Sequence, residues 1–485
     1  MKMKKLTIIL ALILLSISTN ALADSSLDNL IKDNALEGAF IGIEIKDLSS
    51  DSSIYAFNPD LRFSTASNLK LFTSAAALEM LGPDYRFETS FYTNGKISKK
   101  GELKGDLLIA GGGDPLISGR FRESITEVVA CWVDSLKARG IKKIKGDLVI
   151  DNSFFEPDEL APGWSHDYLS YWYACSVSAL SFNDNCVDTR VYPAKKIGDP
   201  CLLEIMPQTD YIDIVNNTST IKAGLINTFD FYRHPGKNIV EFFGGIALDD
   251  TNGTVDYISV DKPHLYCANI YKDILRSDGI EFNGKIIEID NDKLLDKYQY
   301  KNLTRLFNWR SLPMSEVIAV INKNSQNLFA ELTLKTLGAE ICGEGSFRMS
   351  TRLIRDWLES IGISDNDVFY HDGSGLSHMN LASPSAIVKL LDYMRDSPNF
   401  DDYYESLAIP GVDRSVRRRL VDHPQASQMR TKTGSIANTR TFAGYLTTRT
   451  DKLVAFSLMI NNYSSNRDEI DDWMDKLCVH VIENY

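Results

Sequence analysis

The chain has 485 residues, of which 44% are hydrophobic and 24% charged, with 30 Gly and 15 Pro. These proportions are typical of a folded globular protein and exclude collagen-like, low-complexity and disulfide-rich miniprotein classes. The formal net charge of -13 argues against binding to a phosphate backbone, so we expect no nucleic-acid partner. At roughly 100–200 residues per domain, the length predicts two to four domains.

The first 23 residues have the pattern of a signal peptide. Lysines at 2, 4 and 5 precede an apolar run over 6–17, and Ala21-Leu22-Ala23 has small residues where signal peptidase reads. The apolar run is too short to span a bilayer as a helix. We therefore predict cleavage after Ala23, export to the periplasm or cell envelope, and at most peripheral membrane association. An uncleaved anchor is the alternative.

Predicted elements at the two ends of the chain have the pattern of one sheet. Extended runs occupy 39–45 and 54–57, and an Ala- and Leu-rich helix over 67–81 ends at Gly82-Pro83. The stretch from about 89 to 300 is rich in strand and turn patterns. Further helices and strands follow in the order helix 325–337 ended by Gly338, helix 383–394, strands 428–433, 441–447 and 453–461, and helix 468–482. The short polar connections between the last three strands, 434–440 and 448–452, favour an antiparallel meander.

Cysteine and histidine spacing gives little support for a metal. No CxxC occurs, and the seven histidines form no HxxxH pair, so we expect no catalytic metal and no cofactor. Seven cysteines are too few for a disulfide framework, and the number is odd. Cys186 and Cys201, which lie in a turn-rich stretch, form the first pair to test for a disulfide.

Three motifs occur in order along the chain: Ser67-Asn68-Leu69-Lys70 (SxxK), Ser325-Gln326-Asn327 and Lys432-Thr433-Gly434 (KTG). Together they are typical of penicillin-binding proteins and serine β-lactamases. SxxK also occurs at Ser219/Lys222 and Ser259/Lys262, but only Ser67 opens a predicted helix. Residues i and i+3 share a helix face, so Lys70 can reach the Ser67 hydroxyl and, when neutral, remove its proton.

The other two motifs supply complementary chemistry. A Ser325 hydroxyl can relay a proton, and an Asn327 amide can hold a peptide carbonyl. Lys432 and Thr433 offer a cation and a hydroxyl to a substrate carboxylate, while Gly434 lets a ligand approach the backbone. The alternatives are helix capping for the serines and a charged edge strand with a turn glycine for KTG.

Residues 66–87, ASNLKLFTSAAALEMLGPDYRF, resemble the nucleophile helix of the D-alanyl-D-alanine carboxypeptidase/endopeptidase family, the class C low-molecular-mass penicillin-binding proteins of peptidase family S13. Further matches extend over nearly the whole mature chain: GGGDP at 111–115, Gly163-Trp164, Tyr173-Ala174, Ser178-Ala179-Leu180, 322–338, DGSGLS at 372–377, and KTGS followed by FAGY at 442–445. The resemblance implies an α/β (α+β) fold with an antiparallel five-stranded sheet flanked by helices.

The resemblance also implies nested domains, because Lys70 and Ser325 must meet in one site although a long segment separates them. We expect a catalytic DD-peptidase domain of residues 24–88 and 301–485. Two inserted domains rich in β structure would interrupt it. These are domain II at 89–185 and 256–300, and domain III at 186–255, nested within domain II.

Residue by residue, the resemblance implies the roles of the site. Ser67 is the acylated nucleophile, Lys70 its base, Ser325 a proton relay and Asn327 a substrate anchor. Lys432 and Thr433 would bind the terminal carboxylate, and Gly434 and Ser435 complete the set of substrate-binding residues. The backbone N–H groups of Ser67 and Ser435 would form the oxyanion hole. Asp167 resembles a position that meets the amino end of a diaminopimelate side chain, and the alternative for it is an ordinary surface carboxylate.

The function that follows is an exported serine DD-peptidase acting on peptidoglycan stem peptides. It would cleave terminal D-Ala as a carboxypeptidase, or D-Ala-diaminopimelate crosslinks as an endopeptidase, and would bind β-lactam antibiotics covalently. One alternative is a serine β-lactamase, which needs a dedicated base for deacylation. The other is a catalytically silent peptidoglycan-binding scaffold, against which the intact motif residues count.

Overall fold

The computed structural model describes residues 27–290 and 292–485. The predicted signal peptide therefore lies outside the described residues. Among the residues described, no helix has both the length and the apolar character that a membrane span requires.

Within the described residues, the strands are grouped into six sheets. In chain order they are β1 (Phe40–Asp47), β2 (Ser52–Phe57), β3 (Phe63–Ser64), β4 (Glu88–Thr93), β5 (Lys96–Ile97), β6 (Glu102–Lys104), β7 (Leu107–Ala110), β8 (Lys143–Ile144), β9 (Leu148–Asp151), β10 (Cys186–Tyr192), β11 (Leu202–Met206), β12 (Asp213–Ile221), β13 (Asp230–Arg233), β14 (Ile239–Ala247), β15 (Thr254–Ser259), β16 (Glu281–Phe282), β17 (Ile286–Glu288), β18 (Thr304–Arg310), β19 (Val368–Phe369), β20 (Leu381–Ala382), β21 (Arg430–Ile436), β22 (Thr439–Thr447) and β23 (Leu453–Asn461).

Helices flank these sheets. In chain order they are α1 (Lys70–Leu81), α2 (Glu127–Ala138), α3 (Pro263–Ser277), α4 (Asp292–Lys297), α5 (Met314–Lys323), α6 (Asn327–Leu337), α7 (Phe347–Ser360), α8 (Pro384–Arg395), α9 (Phe400–Ser406) and α10 (Arg467–Asn484).

Strands from both ends of the chain form one antiparallel five-stranded sheet in the order β2-β1-β23-β22-β21. Side chains of alternating positions face opposite sides of it. Ala443 and Tyr445 join the core that contains α1 and α8, whereas Phe442 joins the core that contains Trp473 of α10. The predicted sheet flanked by helices is confirmed, and the α/β fold with it.

The connection between the first two strands of the meander, β21 and β22, is shorter than the sequence predicts. Gly434 and Ser435 continue β21 and pair with Thr441 and Arg440 of β22. The predicted polar connection over 434–440 is therefore wrong, because backbone pairing carries the KTG segment into the sheet and leaves only 437–438 to make the turn.

Two helices differ from prediction at their ends. A single 3-10 turn, Ala66–Leu69, precedes α1. Ser325 lies before α6 with a left-handed φ of 57°. The α-helix α6 ends at Leu337, directly before Gly338 as predicted, but Gly338 keeps a helical φ of -63° and the chain continues as a π turn over Gly338–Cys342.

The middle of the chain is strand-rich, as predicted, but α2 and α3 within it were missed. These helices pack together, and the Trp132 and Tyr271 rings lie 5.8 Å apart. Beside them runs the sheet β17-β9-β7-β4-β18. The predicted end of domain II at residue 300 separates β18 from the other four strands of this sheet. The predicted end of domain III at residue 255 lies within β15. The division into nested domains itself stays a prediction.

The predicted pairing of Cys186 with Cys201 is wrong. Strand β10 pairs with β11 in a register that puts Tyr192 opposite Leu202, so Cys201 lies beyond the far end of the strand that Cys186 begins. At about 3.3 Å per residue the two cysteines are roughly 20 Å apart. The Sγ atom that Cys186 contacts belongs to Cys175, at 3.3 Å.

Candidate active site

Ser67 is displayed by a strained turn. The residue before it, Ala66, has a φ of 43°, a left-handed conformation that a residue with a Cβ rarely adopts. Behind this turn lies Gly375, where an added Cβ would stand 1.8 Å from the Ala66 carbonyl oxygen. A glycine is therefore required at 375 to hold the turn that presents the Ser67 hydroxyl.

Lys70 is fully buried and makes three hydrogen bonds. Its Nζ donates to Ser67 Oγ at 3.0 Å, to Asn327 Oδ1 at 2.6 Å and to the Ser374 carbonyl oxygen at 2.7 Å. Burial lowers the pKa of Lys70 to about 7, against the opposing effect of the Glu331 and Asp372 carboxylates. At neutral pH a large fraction of this amine is unprotonated and can accept the Ser67 proton.

Two buried carboxyl groups organise the loop that Lys70 contacts. Glu331 of α6 accepts hydrogen bonds from the Gly373 and Ser374 amides at 2.7 and 2.8 Å, and Asp372 accepts from the Gly375 amide at 2.7 Å. Burial and the neighbouring Asp372 raise the pKa of Glu331, while the two amide hydrogen bonds and the Lys70 charge oppose that rise and favour the carboxylate form. Glu331 was missed from sequence, although an acidic residue within the apolar run of α6 was a usable signal.

Ser325 and Lys432 meet across the cleft. Lys432 Nζ donates to Ser325 Oγ at 2.8 Å and to the Thr433 carbonyl oxygen at 2.8 Å. Burial, with the charges of Lys70 and Arg440, lowers the pKa of Lys432 well below its usual value. The KTG lysine thus holds the Ser325 hydroxyl by a direct hydrogen bond.

Gln326 and Asn327, at the start of α6, contact residues from the strand-rich middle of the chain. Asn327 accepts from Lys70 and donates its Nδ2 to the Tyr173 carbonyl oxygen at 2.7 Å. Gln326 Nε2 donates to Asp184 Oδ2 at 2.8 Å, and Asp184 is ion-paired with Arg120. Sequence reasoning gave Gln326 no role, and nothing in the sequence indicated its distant partner.

KTG lies on β21, the edge strand of the five-stranded sheet. An added Cβ at Gly434 would lie 2.9 Å from the Ser67 amide nitrogen and 2.2 Å from Thr441 Oγ1. The strand therefore passes directly beside Ser67. This placement brings the Ser67 amide next to the strand that carries Ser435, as an oxyanion hole from these two residues requires.

A cleft of about 360 Å³ opens over these groups. Polar residues in or next to the motifs line one part of the cleft: Ser67, Ser325, Asn327 and Ser435. Aromatic residues from the middle of the chain line another part: Tyr168, Trp172 and Tyr173. Asp167 is outside this lining, next to Tyr168, with a side chain 74% exposed and Oδ1 2.9 Å from His166 Nε2. Within 27–290 and 292–485, no group of three or more His, Cys, Asp or Glu is arranged to hold a metal ion.

Comparison with known proteins identifies a family that matches most of this chain. The model of the D-Ala-D-Ala carboxypeptidase 3 (S13) family matches residues 23–481. The D-alanyl-D-alanine carboxypeptidase of Actinomadura sp. strain R39 is 27% identical over 469 residues, 92% of this chain and 84% of the relative. The carboxypeptidase DacB of Haemophilus influenzae is 28% identical over 440 residues, 88% of this chain and 87% of the relative.

Solved structures agree with the sequence relatives. The crystal structure of penicillin binding protein 4 (dacB) from Haemophilus influenzae superposes with a TM-score of 0.83 at 26% identity, covering 94% of this chain and 99% of that one. A second structure of that protein, complexed with a β-lactam, gives a TM-score of 0.77 at 25% identity over 94% of this chain and 99% of that one.

Proposed function

This chain belongs to the D-Ala-D-Ala carboxypeptidase S13 family and is a serine DD-carboxypeptidase, and we propose that its reaction with peptidoglycan stem peptides runs through an acyl-enzyme on Ser67. The observation that carries the proposal is the 3.0 Å hydrogen bond between Lys70 Nζ and Ser67 Oγ, made by an amine whose pKa burial lowers to about 7. This hydrogen bond supports the proposal because it provides the contact that removal of the Ser67 proton by Lys70 requires.

In the acylation step, Lys70 takes the proton of Ser67 while Oγ forms a bond to the carbonyl carbon of the penultimate D-Ala. The carbonyl electrons move onto oxygen, where the Ser67 and Ser435 amides stabilise the charge. Collapse breaks the C–N bond, and the leaving amine receives the proton from Lys70 by way of the Ser325 hydroxyl. Water then hydrolyses the ester and releases the shortened peptide.

Substrate orientation follows from the edge position of β21. An extended D-Ala-D-Ala peptide can lie along a free strand edge by backbone pairing. Its terminal carboxylate would then meet Lys432 and Thr433, and Asn327 would hold a carbonyl of the stem. The aromatic residues 168, 172 and 173 line the same cleft and would contact the remainder of the stem peptide or its crosslinked partner.

We also propose that the protein acts as an endopeptidase, which cleaves D-Ala-diaminopimelate crosslinks. Digestion of purified peptidoglycan by the mature protein, with mass analysis of the products, tests it. Free D-Ala is expected from the carboxypeptidase reaction and split dimers from the endopeptidase reaction, and Ser67→Ala should abolish both. Release of either product by Ser67→Ala at the wild-type rate would reject Ser67 as the nucleophile.

We also propose that penicillin acylates Ser67 by the same steps. The H. influenzae relative has been solved in complex with a β-lactam. When the β-lactam ring opens, its amine stays attached to the acyl group and would obstruct the approach of the water that hydrolyses the ester. A stable mass increase on the peptide containing residues 67–70 is expected. Rapid turnover, with hydrolysed penicillin in large excess over enzyme, would make the protein a β-lactamase instead.

Export is proposed from the leader pattern alone. N-terminal sequencing of protein recovered from the cell envelope should begin at Asp24, directly after the predicted cleavage site. Recovery of a chain that retains residues 1–23 would reject cleavage and favour the anchor.

A further inference from the structure

Cys175 and Cys186 lie at the two ends of a loop, residues 175–186, that packs against the Ser325-Gln326-Asn327 motif. Tyr173, whose carbonyl oxygen accepts from Asn327 at 2.7 Å, is two positions before Cys175. Asp184, whose carboxylate accepts from Gln326 at 2.8 Å, is two positions before Cys186. Each cysteine is therefore two positions from a residue that is hydrogen-bonded to the motif.

The two sulfur atoms are already in contact. Their separation is 3.3 Å, and the side chains of Cys175 and Cys186 belong to residues only 2% and 0% exposed. A neighbouring hydrogen bond holds the two ends of the loop together independently of the sulfurs, because the Asn185 side chain donates its Nδ2–H to the Ser176 carbonyl oxygen at 2.8 Å. A small rotation of either side chain would shorten a contact of this length to a covalent S–S bond.

Other uses of a buried thiol pair fit less well. A structural metal needs about four ligands, yet the described residues contain no group of three or more His, Cys, Asp or Glu arranged to hold one. A nucleophilic thiol would need a stabilised thiolate, but burial raises the pKa of Cys186 well above its usual value.

We propose that Cys175 and Cys186 form an intrachain disulfide that fixes the ends of this loop against the Ser325-Gln326-Asn327 motif. The oxidant is an external disulfide, from a protein disulfide oxidase or an oxidised low-molecular-mass thiol. Exchange breaks the donor's S–S bond, forms the bond between Cys175 and Cys186, and transfers two electrons and two protons to the donor, which leaves as two thiols. Because both sulfurs are buried in the native fold, exchange precedes packing of the loop.

The fold around the loop gives the bond a positioning role. Three successive residues, Asn183, Asp184 and Asn185, have left-handed φ values of 49°, 55° and 56°. Such a run persists only where its surroundings hold it. A bond at Cys186 restrains the end of this run and hence the carboxylate that Gln326 contacts. The proposed export would bring the chain to a compartment where disulfides form.

Peptide mapping without reduction tests the bond. No Lys or Arg lies between the two cysteines, so trypsin leaves both on one peptide, and chymotrypsin then cuts between them after Phe182. Protein oxidised with glutathione disulfide during refolding should give two chymotryptic fragments that stay joined until reduction, with both cysteines protected from alkylation. Fragments that separate without reduction, or a link from Cys186 to another cysteine, would overturn the proposal.

The positioning role needs a separate readout. Oxidised wild-type protein is compared with wild-type protein refolded in the presence of a reductant, with Cys175→Ala/Cys186→Ala, and with Cys201→Ala as a buried control. We expect the reduced protein and the double variant to melt at lower temperature and to show a severalfold lower limiting rate of acylation by a fluorescent penicillin, while Cys201→Ala keeps the wild-type limiting rate. If the double variant fails to fold, the reduced wild type decides. Equal acylation rates in its two redox states would reject the positioning role.

Discussion

Gln326 and Asp184 are joined by a hydrogen bond of 2.8 Å although 142 positions separate them in the chain. Asp184 is also ion-paired with Arg120, whose guanidinium lies 4.0 Å from the centre of the Tyr257 ring. The middle residue of the Ser325-Gln326-Asn327 motif is thus hydrogen-bonded to a charge cluster in the strand-rich middle of the chain. The geometry of the catalytic cleft consequently depends on residues far from the three motifs.

Asp184→Ala tests this dependence. The substitution leaves the Arg120 charge and the Gln326 amide without their shared partner, and breaking a buried ion pair costs about 3–5 kcal/mol. We expect that loss in urea unfolding, together with slower acylation by fluorescent penicillin. Asp188→Ala is the control, because Asp188 is 3.4 Å from Arg120 and more exposed. Equal effects of the two substitutions would contradict a specific role for Asp184.

Lys70→Ala should abolish acylation while leaving the fold intact. Its amine is the group in contact with Ser67 Oγ, and loss of a positioned general base costs roughly a hundredfold to ten-thousandfold in rate. The chain contains a matched control in its second SxxK, since Lys222→Ala removes an exposed lysine of the same motif. Circular dichroism checks the fold. Labelling of Lys70→Ala at the wild-type rate would remove Lys70 from the mechanism.

The sequence predicts this part of the site well because its contacts are local or carried by short motifs. Ser67 and Lys70 lie three residues apart, so helix geometry alone brings them together. The strand over 453–461 is likewise found where its apolar pattern predicts it. Residues that act across the chain gave no such signal. Asp184 and Cys175 are positioned by tertiary packing, which the spacing of residues along one sequence does not encode.

Turn chemistry explains the remaining differences. The sequence of the KTG segment favours a loop after Thr433, since Gly434 and Ser435 are common in turns. Pairing with β22 overrides that preference and extends β21 to Ile436. The left-handed φ of 57° at Ser325 likewise lies outside the helix that its neighbours predict. Both departures occur in the lining of the cleft that contains Ser67, where tertiary contacts override local sequence preference.

The acylation rate should rise with pH around the pKa of Lys70. Only the neutral amine accepts the Ser67 proton, and burial lowers that pKa from its usual value to about 7. The rate is therefore expected to be low at pH 5, to increase through pH 7 and to level off above it. A titration of the acylation rate with a fluorescent penicillin measures the midpoint. A midpoint near that of an ordinary lysine would rule out a buried neutral base.

Glu331→Gln should shift that midpoint toward acid. The Glu331 carboxylate raises the pKa of Lys70, so removal of its charge favours the neutral amine at lower pH. The same pH titration is applied to the variant. The comparison variant is Glu316→Gln, which neutralises an exposed carboxyl group on α5 and should leave the midpoint unchanged. An alkaline shift in Glu331→Gln would show that hydrogen bonding by Glu331, rather than its charge, governs Lys70.

Gly375→Ala should disrupt the turn that presents Ser67. Its added Cβ would lie 1.8 Å from the Ala66 carbonyl oxygen, and its φ is 82°. Gly362→Ala separates backbone strain from collision, because Gly362 has a φ of 83° but no atom within 4 Å of an added Cβ. We expect a loss of about 1 kcal/mol and normal acylation in Gly362→Ala, against a larger loss and impaired acylation in Gly375→Ala. Normal acylation in both would show that the turn tolerates displacement.

Asp167 is expected to act on the substrate's side chain rather than on the reaction. Its carboxylate is exposed beside a residue of the cleft lining, where it could pair with the ammonium group of a diaminopimelate side chain. A charge-assisted hydrogen bond of this kind is worth about 1.5–3 kcal/mol, or roughly tenfold to a hundredfold in kcat/KM. Asp167→Asn should show that loss on diaminopimelate-containing peptides and little change on a minimal acyl-D-Ala-D-Ala substrate. Asp365→Asn, which neutralises another exposed carboxylate, should change neither, whereas equal losses on both substrates in Asp167→Asn would assign Asp167 a structural role.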